Sequence, residues 1–335
     1  MANPVLVEIL RGEHVESAHR GAVAVCDAKG KTLLEIGDVA QPVFPRSAVK
    51  AIQALPLIEN GAADALGFGD MELALACASH RGEIAHVELA VSMLARVGLD
   101  ENALECGSHW PNNREASIAL ARAGGTPSAL HNNCSGKHSG FLCNCRHLNL
   151  NHRGYVGYGH PMQAMIREAM EDVTGAAHNA ENSAIDGCSI PTHAIPIRSL
   201  ALGFARMATG ERISTERAKA AKRLLAACMA EPFFVSGSDA VDLPLMQAAP
   251  GRIFVKSGAE GVFCAALPEL GLGIALKCDD GTERANASMI ASVLARLLKS
   301  DEALSARLAE LARSAVPSRK GEAVGSVRPT PTLAG

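Results

Sequence analysis

Ser47 and Lys50 stand three residues apart in Pro45-Arg46-Ser47-Ala48-Val49-Lys50, at the head of the apolar run Ala51-Ile52-Gln53-Ala54-Leu55. If a helix begins here, both side chains share one face. A lysine amine can then take the serine proton once burial or a neighbouring cation favours its neutral form, which is the Ser–Lys nucleophile arrangement. The competing reading is a serine N-cap followed by a solvated lysine. A second lysine, Lys256, lies in Phe254-Val255-Lys256-Ser257-Gly258, at the end of a strand and before a small hydroxyl residue and a glycine. Read alone, it is an edge-strand lysine that discourages strand pairing.

Serine β-lactamases and penicillin-binding proteins join an S-x-x-K helix to a K-T-G strand whose lysine supplies positive potential. The two elements recur here in that order with about 200 residues between them, although the middle S-x-N element has no clean counterpart. Three further polar clusters stand out: Cys77-Ala78-Ser79-His80, Asn132-Asn133-Cys134-Ser135-Gly136-Lys137-His138-Ser139-Gly140 and Asp186-Gly187-Cys188-Ser189-Ile190-Pro191-Thr192. Without chemistry, Ser79 reads as a cap or a backbone-bonded serine and the other two as ordinary turns. Cys134 and Cys188 form no C-x-x-C pair, so spacing by itself reads them as buried thiols. Gly271-Leu272-Gly273 lacks the third glycine of a dinucleotide fingerprint, and Gly136-Lys137 is followed by His138 where a P-loop needs Ser or Thr. No G-x-S-x-G elbow and no H-E-x-x-H occurs.

The elements that must position these residues divide by chemistry. Val5–Leu10, Gly21–Cys26 and Thr32–Gly37 have strand composition, as do Arg252–Lys256, Gly261–Leu267 and Gly271–Lys277 before Thr282 opens a helix to about Lys299. The middle is different. Asp70–Ser79, Glu83–Val97, Pro161–Val173 and Ser214–Ala230 read as helices. Strands from both ends would share one antiparallel sheet flanked by helices, over residues 1–66 and 245–335, with a mostly helical lobe over 67–244. The last fifteen residues read as a loosely held tail. The chain has 335 residues, 48% hydrophobic and 20% charged, enough for a large core. A net charge of -3 and an aromatic content of 3% argue against nucleic acid and anionic membrane surfaces. Ten cysteines in so long a chain suit reduced thiols, and the lack of a signal-like or spanning apolar stretch suggests a cytoplasmic protein.

Taken together, Val15-Glu16-Ser17-Ala18-His19-Arg20-Gly21, Arg46-Ser47-x-x-Lys50, Cys77-Ala78-Ser79-His80, Asn133-Cys134-Ser135-Gly136-Lys137-His138, Gly159-His160-Pro161-Met162-Gln163 and Asp186-Gly187-Cys188-Ser189-Ile190-Pro191-Thr192 resemble the rhizobial-type (class 3) L-asparaginases of the asparaginase II family, from about residue 5 to residue 330. The resemblance implies an α/β (α+β) fold like that of serine β-lactamases and glutaminases, a homodimer, and hydrolysis of L-asparagine to L-aspartate and ammonia. It pairs Ser47 with Lys50 and Ser79 with Lys256. It places Arg46, Asp186 and His138 at the substrate, the aspartate on the α-amino group, and gives each chain one zinc ion held by Cys134, Lys137 and Cys188. Which serine attacks stays open, with Ser47 favoured because its lysine lies on the same helix. Two other classes stand beside acyl transfer: a zinc-dependent amidohydrolase, in which the metal activates the attacking water, and a non-catalytic amino-acid binding protein. The H-x-E and P-C-x-x-C signature of zinc deaminases is missing.

Overall fold

The molecule, a computed structural model that describes residues 2–334, is organised around one long strand. β1 (Val5–Arg11) turns at Gly12, whose φ is +55°, into β2 (His14–Asp27), pairing Glu8 with Ala18. β2 serves two neighbourhoods. Its first half pairs with β1, and its second half, from Gly21, lies between β3 (Thr32–Ile36) and a strand from the far end of the chain. The strands β4 (Phe254–Gly258), β5 (Val262–Leu267), β6 (Leu272–Cys278), β7 (Ser314–Pro317) and β8 (Ala323–Pro329) complete an eight-stranded antiparallel sheet. Its order is β7-β8-β1-β2-β6-β5-β4, with β3 beside β2.

The terminal segment corrects the sequence reading. It is no loose tail: Ala323–Pro329 is inserted between β7 and β1, with Ile9 opposite Val327 and Arg328 paired to Glu8 at 2.9 Å. Thr330 then donates its N–H to Leu6 O and its hydroxyl to Val5 O, both at 2.9 Å, and Leu333 is fully buried. Proline obscured the strand. Pro329 sits at its last position, where a missing N–H costs little.

β5 is buried along its whole length and β6 nearly so, the pattern of strands covered on both faces. Helices Ile197–Thr209 and Glu283–Leu297 pack against them. The first comes so close that a Cβ on Gly273 would lie 2.0 Å from Ala201 O and 2.3 Å from Ala205 N. Gly273 is therefore a packing glycine, and Gly271, at φ +63°, turns the chain into β6. The helix also shows that residues 197–209, within the range read as the helical lobe, lie on the sheet. Three helices match the spacing within a residue or two, Ile84–Ala95, Pro161–Thr174 and Thr215–Ala230, the last capped by Ser214 Oγ on Arg217 N, and Asp70–Ala76 ends three residues earlier than expected, whereas Arg114–Arg122, Asp242–Ala248 and Glu302–Leu311 are helices that the spacing does not predict. Ser135–His147 forms a further helix where a turn-like composition dominated the reading. No helix among the described residues is long and apolar enough to cross a membrane.

Gly273→Ala is expected to destabilise the protein by about 3 kcal/mol or more in urea unfolding, because the obstructing atoms are backbone. A loss below about 0.5 kcal/mol would mean that the helix is free to move off the sheet.

Candidate active site

The Ser47 segment is built as a turn rather than a continuous helix. Residues Arg46–Val49 form a 3-10 turn, Lys50–Gln53 one turn of α-helix and Leu55–Glu59 another, with Pro56 near the start of the last. Arg46 adopts φ +52°, a left-handed conformation that a non-glycine residue holds only when its surroundings enforce it. Two contacts enforce it. The guanidinium makes a bidentate pair with Asp186 at 3.2 Å on both arms, and β4 presses against the turn. A Cβ on Gly258 would lie 2.5 Å from Pro45 O and 3.0 Å from Ala48 N. Lys256, two residues earlier on β4, projects to the same face of the strand and hence toward the turn.

Lys50, Lys137 and Lys256 are 1%, 2% and 0% exposed, and the chain spends its polar groups on accommodating them. Lys50 Nζ donates to Ala78 O at 2.6 Å, Ser79 Oγ at 2.9 Å and Cys134 Sγ at 3.1 Å. All three of its protons are thereby placed. The pairing expected from the resemblance is redistributed: Lys50 holds Ser79, whereas Lys256 Nζ donates to Ser257 O at 2.9 Å and lies 3.9 Å from Asp242 Oδ1. Ser47 Oγ makes no hydrogen bond among the described residues. Spacing along a helix could not reveal this, because the lysine stem reaches across to a separate segment. Burial brings the Lys256 amine down to about 8, with Lys50's charge adding to that shift and Asp242 opposing it.

Ser79 is positioned by backbone bonds on either side: its own N–H reaches Val235 O and that of His80 reaches Asn133 O. His80 is fully buried, and its pKa is driven well down by that burial, so the ring is neutral. Its Nδ1 accepts the Gly82 N–H, and its Nε2 donates to Ser135 Oγ, whose own proton goes to Leu130 O. The Ser79 loop is thus fastened to the start of the Ser135–His147 helix. That helix in turn needs its glycines: a Cβ on Gly136 would lie 2.4 Å from Leu75 O, and one on Gly140 would lie 3.3 Å from Ala76 Cβ. Close crossing with the Asp70–Ala76 helix brings Cys134 and Lys137 to Lys50 and Ser79.

Cys188 arrives from the short hairpin Ser183–Ile185/Pro191–His193, in a turn where Ser189 has φ +74° and Asp186 N–H bonds Ile190 O. Lys137 Nζ lies 3.1 Å from its sulfur. The neighbouring Cys188 thiol and the charges of Lys50 and Lys137 hold the Cys134 thiol well below the usual thiol range despite burial. Burial acts to lower the Lys137 amine, yet the two sulfurs and Asp186 outweigh it and raise it. Burial likewise pushes the Asp186 carboxyl up, and Arg46 together with Lys137 brings it net below the normal value. The result is a buried cluster of alternating charge, with a half-buried Arg46–Asp186 pair at its edge. A cleft of about 270 Å³ borders the β4 side of this cluster, lined by Arg81, Asp239, Asp242, Ser257 and Gly258 among others. The larger cavities, of about 440 and 410 Å³, lie elsewhere on the molecule, lined by residues such as Arg296 and Arg313, and Val87 and Leu120.

His138 is fully buried, with Nδ1 2.6 Å from Tyr155 Oη. The Tyr155 hydroxyl also accepts the Glu105 N–H. Burial, with Lys137 and Lys50 close by, keeps the His138 ring neutral. Asp242 and Tyr155 were not recognised in the sequence. Asp242 is an acid inside the apolar stretch Ala240–Leu245, 1% exposed, whose Oδ1 accepts the Ser257 N–H at 2.7 Å. An acid in such a stretch is the signal that could have found it.

Comparison with solved structures finds the protein Mglu in its native form, 17% identical with a TM-score of 0.44, over 79% of this chain and 60% of that one. It also finds a beta-lactamase from Mycobacterium bovis (14% identical, TM-score 0.35, 78% of this chain and 88% of that one) and a D-alanine carboxypeptidase from Burkholderia cenocepacia (11%, 0.38, 86% and 92%). The chain thus spans about 60% of the length of Mglu. Comparison with curated proteins finds no match. The family model described as L-asparaginase II matches residues 7–329, from β1 through β8 and every residue of the lysine cluster, and the chain belongs to that family.

Proposed function

We propose that the chain is an L-asparagine amidohydrolase that forms an acyl-enzyme on Ser47, with Lys50 and Ser79 moving the proton. One observation supports this reading above the others: Lys50, three residues after Ser47 on the same turn, holds Ser79 Oγ at 2.9 Å. In the acylation step Lys50 in its neutral form, which keeps only two of its three donor contacts, takes the Ser47 proton as Oγ bonds to the side-chain amide carbon. The tetrahedral intermediate then breaks its C–N bond, and the proton returns from Lys50 through Ser79 to the departing nitrogen, which leaves as ammonia. Water hydrolyses the ester by the same route in reverse order and releases aspartate. The Arg46–Asp186 pair matches the two charges of an α-amino acid, carboxylate to the guanidinium and ammonium to the aspartate.

A second reading rests on the same contact: Ser79 attacks, with Lys50 as its base. Ser47→Ala is expected to lower kcat for ammonia release by about a thousandfold or more with the fold intact, and Ser79→Ala by about a hundredfold. A Ser47→Ala enzyme that keeps a tenth of the wild-type rate would transfer the nucleophile to Ser79, and purified protein that releases no ammonia from asparagine would leave amino-acid binding alone.

Burial brings the Lys256 amine down to about 8, so above that pH one positive charge beside Lys50 is gone. The population with a neutral amine grows as pH rises through that value. The rate is therefore expected to rise with an apparent pKa near 8, set by the Lys256 amine. A profile with its maximum below pH 6 would contradict a lysine base.

Cys134, Lys137 and Cys188 fit a zinc ion, one per chain: two sulfurs and an amine converge in a buried place, and the Lys137 to Cys188 separation of 3.1 Å is near the roughly 3.5 Å between ligands of a tetrahedral zinc. When bound, the metal would supply a fixed positive charge tying the Cys188 turn to the Ser135–His147 helix. Lys137 must then give up the proton that its surroundings favour, so metal binding weakens as pH falls. Cys188→Ser is expected to lose the metal and raise KM several-fold, with a smaller fall in kcat than Ser47→Ala causes. Complete loss of hydrolysis on chelation, with the fold preserved, would instead support a zinc-dependent amidohydrolase. The homodimer is part of the same reading, and sedimentation of the purified protein tests it.

A further inference from the structure

His19, from the motif Val15–Gly21, does not reach the lysine cluster. It points instead into the turn between β6 and the Glu283–Leu297 helix, where His19 Nδ1 lies 2.6 Å from Asp280 Oδ2 and Cys278 Sγ 3.1 Å from Asp280 Oδ1. The three donor atoms lie within 4.8 Å of one another. We propose that His19, Cys278 and Asp280 bind a borderline divalent cation of the zinc class, at a site separate from the Cys134 and Cys188 thiols, which clips the first hairpin to the end of β6.

The donor set has the chemistry such an ion needs. A thiolate and a carboxylate supply two negative charges against two positive, an imidazole nitrogen adds a neutral ligand, and the sulfur selects zinc or cobalt over magnesium and calcium. Binding releases the thiol proton to solvent and shifts the imidazole proton from Nδ1, where it now faces Asp280, to Nε2, and the cation replaces the hydrogen bonds that now join the three groups. The rearrangement is small: tetrahedral zinc separates nitrogen and oxygen ligands by about 3.3 Å, so the His19–Asp280 pair opens by well under 1 Å. His19 is 4% exposed and Cys278 fully buried, whereas the Asp280 side chain is 49% exposed, leaving an entry path and a fourth position for water.

The surroundings hold the ligands in place. Asp280 Oδ1 also accepts the Thr282 N–H at the start of the helix, which orients the carboxylate. A Cβ on Gly21 would lie 2.4 Å from Lys277 O, and one on Gly261 would lie 2.8 Å from Cys278 Cβ, so both glycines are needed for the strands to come this close. His19 Nε2 is buried with no partner among the described residues. The ring is therefore held from one side only, through the nitrogen that faces Asp280, and a metal ligated there would fix it.

The test uses full-length protein stripped of metal and titrated with cobalt(II) alone, read by metal content and by thiolate-to-cobalt absorption. Wild type should bind one more equivalent than Cys278→Ser and one more than Asp280→Asn, and cobalt should raise the Tm of wild type by several degrees more than that of either variant. The Asp280 change is at a half-exposed side chain and leaves the core unchanged, so it remains informative if Cys278→Ser fails to fold. Because the result is a difference between proteins that keep Cys134 and Cys188, it does not depend on whether those thiols also hold metal. Equal cobalt content in wild type and Asp280→Asn, with both folded by circular dichroism, would overturn the site and leave a hydrogen-bonded cluster.

Discussion

Burying three lysine amines within one shared cluster is the constraint on which the rest of the structure depends. An ammonium removed from water must find partners or lose its proton, and each of the three resolves this differently. Lys50 spends its donors on a carbonyl, a hydroxyl and a sulfur; Lys137 is stabilised by two sulfurs and Asp186; Lys256, with fewer partners, falls to about 8. The reactive potential of the site follows from this inequality. Lys256 is the amine that sheds its proton near pH 8 and so removes a charge from beside Lys50, the proposed base.

The fold supplies that environment by close approach rather than by bulk. Gly136 lets one helix cross another at Leu75, Gly258 lets β4 touch the turn carrying Ser47, and Gly273 lets a helix settle on the sheet. Each of these sites places backbone where a side chain would stand. Arg46, held at positive φ beside Ser47, shows that the turn is constrained from outside, by Asp186 on one side and β4 on the other.

Much of this was legible in the sequence, though unevenly. Strand composition located β1, β3, β5 and β6, and apolar spacing located helices such as Ile84–Ala95, Pro161–Thr174, Thr215–Ala230 and Glu283–Leu297, because those signals are local. The polar clusters around Ser79, Cys134 and Cys188 were recognised as candidates, and the structure does bring them together. The partners were not legible. Residues three apart suggested that Lys50 serves Ser47, whereas its amine reaches Ser79 through the interior, a contact between segments 29 residues apart that no periodicity encodes. Asp242 was lost in an apolar stretch, and β8 was hidden behind its terminal proline. Both depend on which distant segment pairs with them.

The claim at the centre of this account is that Ser47 carries the acyl group while Lys50 and Ser79 move its proton. Rapid quenching of the enzyme during turnover of L-asparagine, followed by intact-mass measurement and peptide mapping, tests it most directly. The account predicts an aspartyl ester, a mass gain of one aspartyl residue, confined to the peptide containing Ser47. An adduct mapped to Ser79 would contradict the assignment, and hydrolysis with no adduct at any quench time, even when deacylation is slowed at low temperature, would contradict acyl transfer itself.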